Sequence, residues 1–124
     1  MQKLFLLAGS IAMALAVALG AFGAHGLKSK LSQEMLDIFE TGVQYHFYHA
    51  IGLLIVSLLA QYLPNSSLLK WGGWLMITGI IIFSGSLYTL STTGIRWLGA
   101  ITPIGGLCFI ASWIIIGLAA WKGF

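Results

Sequence analysis

No charged residue interrupts the chain from Leu4 to Ala24, and three further apolar runs follow at about 43–63, 71–91 and 102–121. About 20 apolar residues is the length that carries a helix across a hydrocarbon layer roughly 30 Å thick. Inside that layer the backbone must satisfy its own hydrogen bonds, which leaves helices or closed barrels as the only spanning structures. Runs this long and continuous are helical. Four of them within 124 residues leave no length for a separate soluble domain. Only 7% of the residues are charged, against about 25% in soluble domains. The expected fold is therefore all-α, an integral membrane four-helix bundle occupying 1–124 as one transmembrane domain.

The first run, flanked by Lys3 and ending in "ALGAFGA", has the outline of a secretory signal. Its small residues nevertheless recur every fourth position, at Ala8, Ala12, Ala16, Gly20 and Ala24, along its whole length. Such a ladder lets a second backbone approach closely, and close packing is what associates helices in lipid. A retained first helix is the expectation. The stretch "KSKLSQEMLDIFETG" that follows spaces Leu31, Met35, Ile38 and Phe39 at helical intervals and places Glu34 and Asp37 on other faces. It reads as a short amphipathic interfacial helix at about 31–40, capped by Ser29 or Ser32. Pro64 and Asn65 end the second span. In the third, Gly72, Gly79 and Ser86 recur every seven residues; in the fourth, which Thr102 and Pro103 open, Gly105, Ser112 and Ala119 do the same. A period of seven is the signature of a tightly packed left-handed pair. Trp71, Trp74 and Trp121 are placed as interfacial anchors.

Four crossings put both termini on one side with the 64–70 turn, and the first and third loops on the other. Lys3, Lys70 and Lys122 balance Lys28, Lys30 and Arg96, so the positive-inside count ties; we take the termini as cytoplasmic. The six basic residues are scattered and form no stripe of the kind nucleic acid requires. Single Cys108 excludes an intramolecular disulfide and reads as a packing residue. The remaining ionisable groups are unevenly divided. Glu34, Asp37, Glu40, His25, His46, His49 and Arg96 all belong to the loop 1 and loop 3 end.

The residues facing that end carry a resemblance. "GAFGAHGLK" closing the first helix, "FETGVQYHFYHAIGLL" opening the second, "FSGSLYTL" in the third and "LGAITPIGGLCFIASWIII" in the fourth resemble the YgdD-type family of small four-span inner-membrane proteins. The resemblance covers essentially the whole chain. It implies a multi-pass protein of the bacterial plasma (inner) membrane. Some members look as if they support membrane integrity; the family's biochemical role is unknown, and no activity carries over.

In helical projection Tyr45, His46 and His49 share one face, and Glu40, Gln44 and Tyr48 an adjoining one. At about 1.5 Å per residue His49 lies about 14 Å beyond Glu40, approaching mid-membrane, so it must face protein. One reading makes these groups a hydrogen-bonded network across the bundle to Ser84, Ser86, Tyr88 or Thr102, with an ion pair between Glu40 and Arg96. A second makes His46 and His49 metal ligands completed by His25 or Glu40; no second histidine or cysteine pair supports it, so no metal is expected. A third treats Glu40, His46 and His49 as steps of a proton or ion path, although "LLIVSLLA", "MITGIII" and "ASWIIIGL" give no polar continuation. A fourth makes Tyr45, Tyr48, Tyr88, Trp97 and Arg96 a lipid head-group, quinone or partner pocket. No nucleophile with base and orienter, strong metal motif or phosphate loop is present, so no enzyme is expected. The expectation is a structural or regulatory membrane component without a cofactor. Its expected partners are membrane lipids, and a second copy or another membrane protein.

Overall fold

A computed structural model describes residues 1–124. The chain is all-α. Helices α1 (Gln2–His25), α2 (Gln33–Leu59), α3 (Ser67–Gly79), α4 (Gly85–Thr93) and α5 (Thr102–Gly123) are joined by a π-helical turn, Ile80–Ser84, and a 3-10 turn, Arg96–Ala100. The π turn runs α3 into α4 without a break, so Ser67–Thr93 forms one long apolar crossing, and four helical segments are long and apolar enough to span a membrane.

Local signals explain the ends. Ser32 caps α2 by accepting from the Met35 amide at 3.3 Å, with Glu34 in the first turn, where a carboxylate complements the helix dipole. Ser66 caps α3 in the same way through the Leu69 amide. Gly94, at φ 75°, closes α4 in the left-handed conformation that a residue without Cβ adopts freely. Pro103 occupies the first turn of α5, where no backbone donor is lost.

The expected break between an interfacial helix and the second span is absent. The segment 33–40 is helical, but it is the beginning of α2 and not a separate element. Thr41 and Gly42 do not interrupt it because Gly42 serves packing: a Cβ there would lie 3.0 Å from Cε1 of Tyr88 and 3.3 Å from Cβ of Leu87. At about 1.5 Å per residue the 27 residues of α2 extend about 40 Å, more than the roughly 30 Å of hydrocarbon. The polar first turns of α2 therefore stand outside the apolar layer as an extension of the span. At its other end α2 stops at Leu59, and residues 60–66 form the turn that leads to α3.

Helix α2 is central, with α1 on one flank and the third crossing on the other; α5 packs chiefly on α3 and the π turn. The buried positions of α1 are Phe5, Gly9, Ala16 and Gly23, so the ladder of every fourth residue meets α2 only in part. Four residues advance slightly more than one full helical turn, so the ladder drifts steadily around the helix. Gly9, Ala16 and Gly23, spaced by seven, come close to two whole turns per step and hold one face. A Cβ on Gly9 would come within 3.1 Å of the Leu54 amide nitrogen, which marks a close approach of the α1 and α2 backbones. The two seven-residue stripes do face each other: Gly72, Gly79 and Ser86 are buried on the third crossing, Gly105, Ser112 and Ala119 on α5. The main core lies toward the termini, built on Phe5, Leu53, Val56, Leu69 and Met76. Ser57 donates to the Gln2 carbonyl at 2.9 Å, which joins the N-terminus to the end of α2, and Gly123 packs against Leu63, so both termini lie beside the second loop. Apolar residues such as Leu7, Ile11, Ile81, Ile110 and Ile114 are exposed around the bundle, as a lipid-facing surface requires.

Candidate functional site

His46 and His49 are both buried, at 4% and 5% exposure, but they do not converge. His46 is turned to α4, where Nδ1 lies 2.8 Å from the Tyr88 hydroxyl. His49 is turned to α5. Its Nδ1 lies 2.6 Å from the Tyr45 carbonyl, and its Nε2 accepts from the indole N–H of Trp113 at 3.1 Å. A carbonyl only accepts, so the proton of His49 sits on Nδ1 and both ring nitrogens are satisfied. The ring also stacks on Phe109 with centroids 3.4 Å apart and planes 7° apart. Nothing about His49 is left for a ligand.

The π turn makes this arrangement. Its wider winding brings Ser84 against α2, where the hydroxyl donates to the Gly42 carbonyl at 2.7 Å. It also presses Phe83 onto α5 at Gly105, and Phe83 in turn packs against Tyr45 and Phe109. One turn on, Ser86 and Thr102 share a hydrogen bond of 2.6 Å, while Ser86 also donates to the Phe83 carbonyl at 2.8 Å. These two hydroxyls belong to the polar set as expected, yet they bond each other and not the histidines.

The remaining members of the constellation are outside this core. Tyr45 and Tyr48 are partly exposed, and Gln44 donates to the Tyr48 hydroxyl at 2.6 Å along the outer face of α2. His25 is exposed at the end of α1. Glu40 is also exposed and lines a surface groove with Lys28 and Gln33. The expected Glu40–Arg96 pair does not form. Arg96 instead grips Glu34 through both guanidinium nitrogens, at 2.9 and 3.4 Å. Glu34 and Glu40 are six residues apart, a spacing that falls between whole helical turns. The two carboxylates therefore point in different directions, and only the earlier one reaches loop 3. This pair lies in the water-facing first turn of α2, and the Arg96 guanidinium holds the Glu34 carboxyl below the usual carboxylate range. Both side chains are largely exposed, so the contact orients loops 1 and 3 more than it stabilises them.

No three of the His, Cys, Asp and Glu side chains come together at metal-binding distance. Sequence reasoning missed Trp113, which it read as part of an apolar run. The signal was available: an indole N–H in mid-helix needs a partner. It also missed the two serines that tie helices together through backbone carbonyls, Ser57 to Gln2 and Ser112 to Gly72, the latter at 2.6 Å.

Four apolar crossings with buried polar groups bonded from helix to helix define a polytopic helical membrane protein. Residues 19–106 match the family model described as "Protein of unknown function (DUF423)". The chain is 55% identical over 121 residues to the UPF0382 membrane protein YwdK of Bacillus subtilis, covering 98% of both chains. It is 46% identical, with the same coverage, to a UPF0382 membrane protein of Staphylococcus haemolyticus. It belongs to this DUF423 family, and its four crossings make it a multi-pass membrane protein. No solved structure matches it.

Proposed function

We propose that this protein is a non-enzymatic structural or regulatory component of the bacterial plasma membrane, a member of the YgdD type whose contribution is to membrane integrity. The observation that carries the reading is the bonding of His49. Both ring nitrogens are used, one by its own helix and one by α5, which is how a side chain that fixes helix packing is arranged. The serines at 57, 84 and 112 are spent in the same way, on the backbones of other helices. Past His49 the buried residues of α2 are Ala50, Gly52, Leu53, Val56 and Ser57, which offers little to a translocated ion. In this reading no cofactor resides in the bundle. The partners are membrane lipids, with a second copy or another membrane protein along α1, the least covered of the four crossings.

The test is uptake of a membrane-impermeant dye, after osmotic downshift, by cells lacking the protein. Uptake rises in the deletion strain and returns to the wild-type level with the intact gene. Identical uptake with and without the protein, across osmotic and detergent stress, overturns the proposal.

A further inference from the structure

Two polar side chains on the outside of α2 have hydrogen bonds left to make. Gln44 and Tyr48 are both exposed, and the Gln44 amide donates to the Tyr48 hydroxyl at 2.6 Å. This is the one side-chain bond that either makes within the chain. The carboxamide oxygen, its second N–H and the tyrosine proton are therefore unused.

Depth makes that costly. His49, five residues after Gln44, bonds to Trp113 midway along α5. Five residues of helix rise about 7.5 Å, so Gln44 lies about 7 Å inside a hydrocarbon layer roughly 30 Å thick. Helix α1 gives the same level: Gly20, which packs beside Val43 and Phe47, stands five residues before the end of α1 at His25. On the third crossing the exposed hydroxyls of Thr78 and Thr89 are spent on carbonyls of their own helix, Trp74 and Gly85. A carboxamide has two donors and an acceptor to satisfy, and lipid tails satisfy none of them.

The pair opens a continuous seam. Gln44, Tyr48, Ile51, Ile55 and Leu58 are spaced alternately by four and three, and all are exposed. They lie opposite Gly42, His46 and Leu53, which α2 buries in the bundle. Alternate steps of three and four keep two helices in contact along their whole length.

Whatever covers this seam must bring polar groups to the depth of Gln44. A second copy inserted in the same direction does so without adjustment. A two-fold axis along the membrane normal sets Gln44 and Tyr48 of both copies at equal depth, and a carboxamide, being donor and acceptor, complements its own image. We infer that the outer face of α2 is a homodimer interface. The Tyr48 hydroxyl holds its own Gln44 and donates to the Gln44 oxygen of the second copy, while Ile51, Ile55 and Leu58 pack along the rest of the seam. The inference rests on the second copy named among the partners above and puts the contact on α2, next to α1. It does not depend on the role in membrane integrity, so dimerisation and dye uptake stand or fail separately.

The experiment uses the full chain, with Cys108→Ser as background, in phosphatidylglycerol–phosphatidylethanolamine vesicles. Ile51→Cys and Ile55→Cys report on the seam. Ile81→Cys and Ile114→Cys, exposed on the third crossing and α5, report on chance encounters. A short bis-maleimide links the first two variants into dimers, in a yield that survives dilution with excess lipid, and leaves the other two monomeric. Energy transfer between chains labelled at the C-terminus then shows Gln44→Leu weakening association about five- to tenfold, the loss of two interchain bonds, at unchanged thermal stability. Tyr48→Phe has a similar effect, and the double variant is little weaker than either single one, because both remove the same bonds. Equal linking at all four positions, linking confined to Ile81→Cys or Ile114→Cys, no linking of the folded chain, or a Gln44→Leu chain that associates as tightly as the wild type overturns the inference.

Discussion

Replacing Gly105 by alanine separates packing from every other property of the bundle. A Cβ at Gly105 would lie 2.5 Å from the Phe83 amide nitrogen, 2.7 Å from its Cβ and 2.8 Å from its Cα. Two of these atoms are backbone, within a π turn held from the other side by Ser84 on Gly42. The obstruction cannot rotate away, and α5 must retreat to restore ordinary contact. Overpacking of this kind costs about 1–3 kcal/mol. The retreat also stretches the 2.6 Å bond between Ser86 and Thr102, worth a further ~0.6–2 kcal/mol in a membrane bundle. The expected loss is about 2–4 kcal/mol. Adjacent Gly106 is the control, because a Cβ there would sit 3.9 Å from the Phe83 ring, an ordinary contact. Gly106→Ala should be neutral or gain up to ~1 kcal/mol from helix propensity. Unfolding of both variants in a mild detergent, followed by circular dichroism against a chaotrope, gives the comparison. Equal stability of the two variants would refute the close approach of α5 to the π turn.

Other substitutions probe the polar contacts. Trp113→Phe leaves Nε2 of His49 unpaired and should destabilise the detergent-solubilised protein by about 1–3 kcal/mol; no change would mean that the indole bond does not form. Ser84→Ala and Ser112→Ala each remove one interhelical bond to a carbonyl. Each should cost about 0.6–2 kcal/mol, with nearly additive effects in the double variant because they join different helix pairs. For Glu34, the folded-state carboxyl titrates below its unfolded value because of Arg96. The pair's contribution is thus present at neutral pH and is lost as pH falls below the ordinary glutamate range, about 4.3, through the lowered value. Unfolding profiles of wild type and Glu34→Gln should differ slightly at pH 7 and coincide in strong acid, and a difference that grows on acidification would contradict the assignment.

The crossings were legible because long apolar runs have a single physical outlet in a membrane. The pairing of the third crossing with α5 was legible for a related reason: glycine and serine every seven residues leave a groove on one face, and two such grooves in sequence-adjacent spans meet. The ladder on α1 was read less well. Its residues recur every four positions and drift around the helix, so only Ala16 among them is buried, on the face that Gly9 and Gly23 hold by their spacing of seven. The separation of an interfacial helix at 31–40 from a span beginning at 43 was misplaced, since sequence does not reveal that Tyr88 and Leu87 occupy the space where a Gly42 side chain would be. The π turn left no readable trace in "IIIFSGS", yet it is what carries Ser84 and Phe83 to their partners. For the candidate site, sharing a helix face was a good guide to burial and a poor one to partners. His46 and His49 lie three residues apart, which falls short of a full helical turn, and that offset sends one ring to α4 and the other to α5. Tyr88 could be anticipated from its position at the same end of the bundle. Trp113 was harder to anticipate, because an indole in a membrane helix ordinarily belongs to the interfacial belt.

The two histidines hold different helices together, and their contacts predict opposite tautomers: Nδ1 of His49 donates to the Tyr45 carbonyl, whereas Nδ1 of His46 accepts from the Tyr88 hydroxyl and its proton sits on Nε2, toward the Ala12 carbonyl. Imidazole ¹⁵N chemical shifts of the protein in lipid bilayers, assigned with the single variants His46→Phe and His49→Phe, test this directly. One neutral ring protonated at Nδ1 and one at Nε2 is the predicted result. Two rings in the same tautomer, or rings that exchange rapidly between tautomers as imidazole does in water, would contradict it.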